Sequence, residues 1–168
     1  MKRTSKVLMA ILALVLIVCA MFCVVAFADG EGATLGSANV VYGGKISLAF
    51  TVENYTGDGT VGIAVYKNAG DETPMYVSFE EKELEGVKYF ETFGIAAKDI
   101  DTDYYVAVAE KDADGNVKAI SALAEYSVEA YAESKLGDAE STDAQKDVCK
   151  ALLNYNKAAD AVIPAAAN

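Results

Sequence analysis

The chain has 168 residues with no histidine or tryptophan, and its 14 Lys and Arg against 25 Asp and Glu give a formal net charge of −11. Without histidine, Ser-His-Asp and Cys-His catalysis, histidine-ligated zinc and an imidazole proton shuttle are all excluded. The negative charge opposes binding to nucleic acid and to anionic lipid, so we expect no nucleic-acid partner.

The first 28 residues have the layout of a secretory signal peptide. Lys2, Arg3 and Lys6 precede an uncharged apolar run over 7–28, which ends on Ala-Phe-Ala just before Asp29. We expect cleavage at the end of this run, which makes the protein secreted or attached to the cell surface. The alternative is an uncleaved anchor, because the 22-residue run reaches the length of roughly 20 that spans a bilayer. The membrane would then be touched only through this leader.

Cleavage leaves 140 residues, a length typical of one domain. The mature chain keeps 11 basic against 25 acidic residues, so its formal net charge is −14. Cys149 is its only cysteine, which excludes an intramolecular disulfide. The thiol is expected to be buried as a small apolar group, and pairing between two chains is the alternative.

Residues 29–124 are predicted to form a β-sandwich domain. Ile46, Leu48, Phe50 and Val52 alternate with smaller or polar residues, which is typical of a strand with one apolar face. Similar patterns predict six further strands near 38–42, 61–65, 75–79, 87–89, 104–108 and 117–124, with Met75, Val77 and Phe79 as the apolar face of the third of these. Seven short strands with one apolar face each predict an immunoglobulin-like or fibronectin-III-like antiparallel sandwich.

The breaks between these strands have turn chemistry. Gly, Asn and Asp are frequent at 43–44, 56–59, 68–71 and 112–116, and these residue types tolerate positive φ or bond to their own backbone. The stretch 94–103 interrupts the alternation, and a short helical turn is expected at 96–100.

Residues 125–163 are predicted to form a helical hairpin packed on the sandwich, followed by a tail over 164–168. The first helix is expected to begin after Ser127 and to end at Gly137. Thr142 and Gln145 have the spacing of a capping box at the start of the second. Its apolar stripe is expected to comprise Val148, Leu152, Tyr155, Ala159 and Val162, with Pro164 ending the helix.

Several short segments resemble a C-terminal signature of secreted surface modules of anaerobic Gram-positive bacteria. These are Tyr126-Ser127-Val128, Tyr131-Ala132, Ala151-Leu152-Leu153-Asn154-Tyr155 with Ala158-Ala159, and the stretch 93–100. In those modules a β-rich region ends in a Tyr-Ser-Val segment and a helical pair follows. The resemblance covers about 34–160 and implies a non-catalytic structural role, with no catalytic residue attached to these motifs.

Two acidic loops and an acidic run are the candidate chemistry. Asp112 and Asp114 lie in a loop like that of a calcium site, but a hairpin turn is favoured because the bidentate acid is missing. Asp99, Asp101 and Asp103 offer three carboxylates for a hard cation, and a solvated loop is favoured there. Glu80, Glu81, Glu83 and Glu85 are too close together in the chain to face each other across a cleft as glycosidase carboxylates do. We therefore predict no catalytic, cofactor or metal residue and no enzyme activity.

Ten tyrosines are the best binding candidates. Tyr55 and Tyr66 flank a turn, and Tyr104 and Tyr105 should point to opposite faces of one strand, which exposes one of them. The leading hypothesis is a non-catalytic secreted or cell-surface module for adhesion, scaffolding or display, whose partner is an extracellular protein or polysaccharide. The alternatives are a carbohydrate-binding module that stacks sugars on Tyr and Phe, and a small carboxylate hydrolase.

Overall fold

The computed structural model describes residues 32–42 and 44–162. The predicted signal peptide, the residues just after it and the end of the chain with Pro164 lie outside the described residues. No helix in the described part of the chain has both the length and the apolar character needed to cross a membrane.

Two antiparallel sheets form the body of the molecule. The first has the order β1-β2-β6-β5 and comprises β1 (Thr34–Tyr42), β2 (Ile46–Glu53), β5 (Glu81–Leu84) and β6 (Val87–Glu91). The second has the order β4-β3-β7-β8 and comprises β3 (Thr60–Tyr66), β4 (Tyr76–Ser78), β7 (Tyr104–Lys111) and β8 (Val117–Ala119), with β9 (Ala124–Tyr126) also paired to β7. This arrangement confirms the antiparallel sandwich, with nine strands in the described residues where about seven were predicted.

The inner faces of both sheets form the main core. Leu48, Phe50 and Phe90 come from the first sheet, and Ile63 and Val106 from the second; all belong to one buried cluster. In β2 the predicted apolar side chains face this cluster, as the alternation indicated. A smaller cluster lies on the outer face of the second sheet, where Ala64, Tyr66, Ala107 and Ala109 pack together under Phe79, Tyr105 and Leu123.

The smaller cluster explains why the predicted inner face of β4 is wrong. Met75 and Val77 are exposed, whereas Tyr76 packs against the main core and Ser78 is buried. Phe79, predicted to lie on the same face as Met75 and Val77, belongs to the outer cluster. Because the outer face of this sheet is itself apolar, the alternation in the sequence did not identify the face that meets the core.

The last predicted strand is interrupted. The chain pairs with β7 as β8 and again as β9, and between them the N–H of Val108 donates to the hydroxyl of Ser121 at 2.9 Å instead of to a backbone carbonyl. The N–H of Ile120 donates to the carbonyl of Val108 at 2.8 Å, so the edge stays bonded through the break. A serine side chain therefore takes the place of one ladder acceptor, and the strand predicted over 117–124 is two strands.

Two helices and a short helical turn complete the fold. The turn is a 3₁₀ helix at Ala97–Asp99, inside the range predicted for it. Helix α1 spans Val128–Gly137, and the Ser127 hydroxyl accepts a hydrogen bond from the Ala130 N–H at 3.1 Å, which confirms the predicted cap. Helix α2 spans Asp143–Val162. At its start the Thr142 N–H donates to Gln145 Oε1 at 2.8 Å and the Gln145 N–H donates to Thr142 Oγ1 at 3.3 Å, so the capping box is confirmed.

The predicted apolar stripe of α2 is wrong in phase. Its buried residues are Cys149, Leu152 and Asn156, and only Leu152 belongs to the stripe expected from the sequence. Val148, Tyr155 and Val162 are exposed. The buried face of the helix contains a polar residue, Asn156, which bonds to the carbonyl of Ala97 in the 3₁₀ turn. Cys149 is buried, as expected for a small apolar group.

The acidic run predicted to lie between strands is itself mostly a strand. β5 pairs with β6 along its whole length, and the two-residue turn Glu85-Gly86 joins them. Both turn residues have positive φ, 52° at Glu85 and 82° at Gly86, which is the signature of a type I′ turn. Glycine adopts this conformation freely, but glutamate does not, so the turn places Glu85 in an unfavourable backbone conformation.

Replacing Glu85 with asparagine should stabilise the protein, because Asn-Gly is the favoured type I′ pair. The gain expected for Glu85→Asn is about 0.5–1 kcal/mol in the free energy of unfolding, measured by urea denaturation. Glu72→Asn, which makes the same charge change at another exposed position, is the control and should leave stability nearly unchanged. An equal gain in both variants would mean that charge, not backbone conformation, is responsible.

Candidate functional site

An open groove of about 790 Å³ lies where α2 meets the end of the first sheet. Residues 44–46 and 94–97 line it together with Tyr42 and Tyr155. Among the described residues, the lining contains one charged side chain, that of Lys45, and no carboxylate. In a chain of net charge −11 this makes the groove a locally non-acidic surface.

The floor of the groove is held by backbone hydrogen bonds. Beyond the end of β6, the Thr92 N–H donates to the Leu48 carbonyl at 2.9 Å and the Ile95 N–H donates to the Ile46 carbonyl at 2.7 Å. The Thr92 hydroxyl also accepts from the Leu48 N–H at 3.0 Å. The stretch after β6 is thereby fastened to the start of β2, and Ile95 is buried beneath the surface. The floor is part of the rigid sheet and not a free loop.

Lys45 is held by partners beside the groove. Its ammonium lies 3.7 Å from a carboxylate oxygen of Glu91 and donates to the Thr92 carbonyl at 3.3 Å. Glu91 is buried and also pairs with Lys82, whose ammonium is 2.8 Å away. The hydrogen bond to Glu91 is the main reason that the pKa of Lys82 is raised. Glu91 is shared between two ammonium groups, so it balances only part of the positive charge of Lys45, whose side chain is 45 % exposed.

Tyr42 forms one side of the groove at the end of β1. Its side chain is 47 % exposed, and its inner part lies near Tyr131 of α1 and Cys149 of α2. Partial burial, with a smaller contribution from these two groups, raises the pKa of Tyr42. Tyr131 is hydrogen-bonded to the backbone of Val40, and burial raises its pKa as well. One face of Tyr42 is thus supported by the helices while the rest remains accessible.

Tyr155 of α2 also lines the groove and is 57 % exposed. The next residue along α2, Asn156, is buried, and its Nδ2 donates to the carbonyl of Ala97 at 3.0 Å. This bond fastens α2 to the 3₁₀ turn and turns Tyr155 towards the groove. Sequence reasoning missed this role, because it placed Tyr155 on the buried stripe of the helix.

The tyrosines that were predicted from the sequence as binding candidates lie outside the groove. The Tyr55 hydroxyl donates to the Gly59 carbonyl at 2.9 Å, and Tyr66 is buried in the outer cluster. Tyr104 and Tyr105 do point to opposite faces of β7: Tyr104 is buried in the main core, and Tyr105 is half-buried on the outer cluster. All four therefore have structural contacts, and none borders the groove.

The acidic candidates are also explained by local structure. Asp112 accepts hydrogen bonds from the N–H groups of Asp114 and Asn116, both at 2.9 Å, and the Asn116 side-chain bond is the main reason that its pKa is lowered. This is the geometry of a turn. Asp99 pairs with Lys98 next to it. Within 32–42 and 44–162, no three His, Cys, Asp or Glu residues come together as a metal-binding group.

The glutamates of β5 lie on a strand at the edge of the first sheet. Glu81 pairs with Lys88 across the hairpin at 2.7 Å, and Glu83 lies opposite Lys88 in the register. Charged side chains on an edge strand oppose pairing with another chain. The run therefore protects the edge of the first sheet, and it lies apart from the residues that line the groove.

Comparison of the chain with protein-family models, with curated proteins and with solved structures finds no match. The resemblance to secreted surface modules stays a prediction from the residues quoted above.

Four tyrosines whose pKa is raised by full or partial burial predict a loss of stability in alkali. Burial is the first cause of the raised pKa of Tyr42, Tyr66, Tyr104 and Tyr131. The folded state then holds the phenolic protons more tightly than the unfolded state does. The protonated tyrosines therefore contribute fully to the free energy of unfolding below their ordinary pKa of about 10, and this contribution is lost as the pH rises through their raised pKa values in the folded protein. Urea midpoints should fall between about pH 9 and about pH 11.

A titration followed by tyrosinate absorbance tests whether the raised pKa of these tyrosines is the cause. The folded protein should ionise part of its tyrosine at higher pH than the same protein in urea. Superimposable titration curves in the two states would contradict the assignment.

Proposed function

We propose that the protein is a non-catalytic secreted or cell-surface module for adhesion, scaffolding or display, which binds an extracellular protein or polysaccharide in the groove between Tyr42 and Tyr155. The observation that carries this proposal is a solvent-open groove whose described lining residues include two exposed tyrosines and no carboxylate. Exposed aromatic side chains beside a concave surface are typical of binding sites, since each has an apolar body and a polar tip.

The composition of the groove favours binding over hydrolysis. Glycoside hydrolysis needs two carboxyl groups on opposite sides of the scissile bond, and the lining supplies neither. The amine of Lys45 is engaged by Glu91 and by the Thr92 carbonyl, so it is poorly placed to act as a nucleophile or base. With no histidine in the chain, the remaining groups of the lining are two phenols and backbone amides.

The support beneath the groove also suits recognition. Its floor is bonded to β2, and Tyr155 is positioned by the buried Asn156 bond to Ala97. A preorganised site spends less of its interaction energy on ordering its own side chains when the partner binds. The predicted leader and the resemblance to surface modules both support a location of this site outside the cell.

A matched pair of arginine substitutions tests the proposal. Ala96→Arg places a long side chain in the groove, whereas Ala119→Arg makes the same change at an exposed position of β8, away from it. Labelled protein should bind saturably to intact producing cells or to their isolated cell walls. We expect Ala96→Arg to weaken this binding about tenfold or more and Ala119→Arg to leave it nearly unchanged.

Equal binding by the two variants would refute a role for the groove. Release of soluble wall fragments by the purified protein would refute the non-catalytic role. Thermal melting of both variants shows whether each is still folded.

A further inference from the structure

We propose that the ligand of this groove is a neutral polysaccharide, whose sugar rings stack on Tyr42 and Tyr155 while their hydroxyls bond to the exposed backbone and phenol groups. This inference rests on the proposed function and names its ligand. Three features of the groove lead to it: its size and openness, the nature of its accessible apolar surface, and its charge.

The size of the groove suits part of a polymer. A volume of about 790 Å³ lies within the range of roughly 300–1,000 Å³ that is usual for ligand sites. The groove is open to solvent and does not enclose its contents, so a bound sugar would remain connected to further sugars outside it. A small metabolite would be left largely uncovered in such a site.

The accessible apolar surface consists mainly of the two tyrosine rings. Ile95 is buried and Ile46 is half-buried, and the rest of the lining is glycine, alanine and Lys45. Pyranose rings have apolar C–H faces and a rim of hydroxyls, which match an aromatic face beside hydrogen-bonding groups. Small residues next to the rings let a sugar approach the backbone: Gly44 has no heavy atom within 4 Å of where a Cβ would lie.

This surface fits a sugar better than a protein partner. A stable protein interface buries about 800 Å² on each side around a tightly packed apolar centre. The described lining residues offer two exposed tyrosine rings beside small residues and no large exposed aliphatic side chain. Stacking and hydrogen bonding to single sugars need no such continuous apolar centre.

The charge of the groove and of the whole chain favours neutral over anionic polysaccharides. Lys45 is the only cation among the described residues that line the groove, and its ammonium is already engaged by the Thr92 carbonyl and by Glu91, which it shares with Lys82. In this lining a carboxylate or sulfate would meet one partly paired ammonium and no cluster of cations. The whole chain, with a net charge of −11, repels polyanions. Neutral sugars avoid this repulsion.

Affinity electrophoresis of the purified protein in gels that contain soluble polysaccharide tests the inference. The neutral probes are mixed-linkage β-glucan, xylan, galactomannan and starch, and the anionic probes are polygalacturonate and heparin. We expect saturable retardation by at least one neutral probe and none by the anionic ones. Tyr155→Ala should weaken retardation about tenfold or more, which corresponds to about 1.4 kcal/mol.

The controls separate stacking from structure. Tyr155→Phe keeps the ring and should retain binding within about threefold, and Val148→Ala, at an exposed position of the same helix outside the groove, should bind as the unmodified protein does. Tyr42→Ala and Tyr42→Phe form the same comparison on the opposite side. Melting curves identify any variant that fails to fold, and the Tyr→Phe variants keep the test valid in that event.

The outcomes of these experiments distinguish failure of the ligand inference from failure of the proposed function. Silence of all four neutral probes, or unchanged binding by folded Tyr155→Ala and Tyr42→Ala, overturns the inference. If the neutral probes are silent while Ala96→Arg still abolishes attachment to cells, the proposed function survives with a different ligand. If Ala96→Arg leaves attachment to cells unchanged and the folded Tyr→Ala variants leave retardation unchanged, the groove is not the binding site and both proposals fail.

Discussion

The sandwich and the helices share one hydrophobic core, and the other features of the structure depend on this shared burial. Val128 of α1 and Leu152 of α2 are buried in the same cluster as Phe50 and Ile63 of the two sheets. Helix α1 has only 10 residues, and a helix of that length is marginal by itself in water. The helices therefore gain their stability from apolar side chains inserted at one end of the sandwich, and that end is closed only when they are inserted.

The groove is a consequence of this docking. Leu152 sets the position of α2 against the core, and one turn later the buried Asn156 bonds to the Ala97 carbonyl. Leaving the buried Asn156 amide or the Ala97 carbonyl without a hydrogen bond would destabilise the fold. The bond therefore fixes the rotation of α2 as well as its packing against the core. Tyr155 of this helix lines the groove together with Tyr42 and residues 94–97. These lining residues belong to distant parts of the chain, and the docking of α2 on the core brings them together.

The sequence predicts the elements with one clear apolar face and misses those without one. The alternation in β2 and the spacing of Thr142 and Gln145 both describe what the structure contains. β5 went unseen because it is a polar edge strand whose pairing is through its backbone, and such a strand leaves no alternation. The split between β8 and β9 depends on a single hydroxyl, that of Ser121, which stands in for a backbone acceptor.

The candidate site was beyond prediction for a related reason. Tyr155 matched the apolar spacing of α2, and only the burial of Cys149 and Asn156 shows that the helix is rotated away from that stripe. Tyr42 ends a strand, where a sequence gives no information about what lies opposite. The tyrosines chosen from the sequence were those next to turns or in adjacent pairs, and the structure uses them for packing. Exposure of an aromatic side chain is a property of tertiary contacts and not of local pattern.

Leu152→Ala tests the shared core most directly. Truncating a buried leucine costs about 2–5 kcal/mol, and Val148→Ala, at an exposed position of the same helix, should cost less than about 0.5 kcal/mol. Urea unfolding followed by far-UV circular dichroism and by tyrosine fluorescence should give one coincident transition for each protein, shifted to lower urea only in Leu152→Ala. Loss of the helical signal at low urea, with the fluorescence transition of the sandwich unshifted, would contradict a single core.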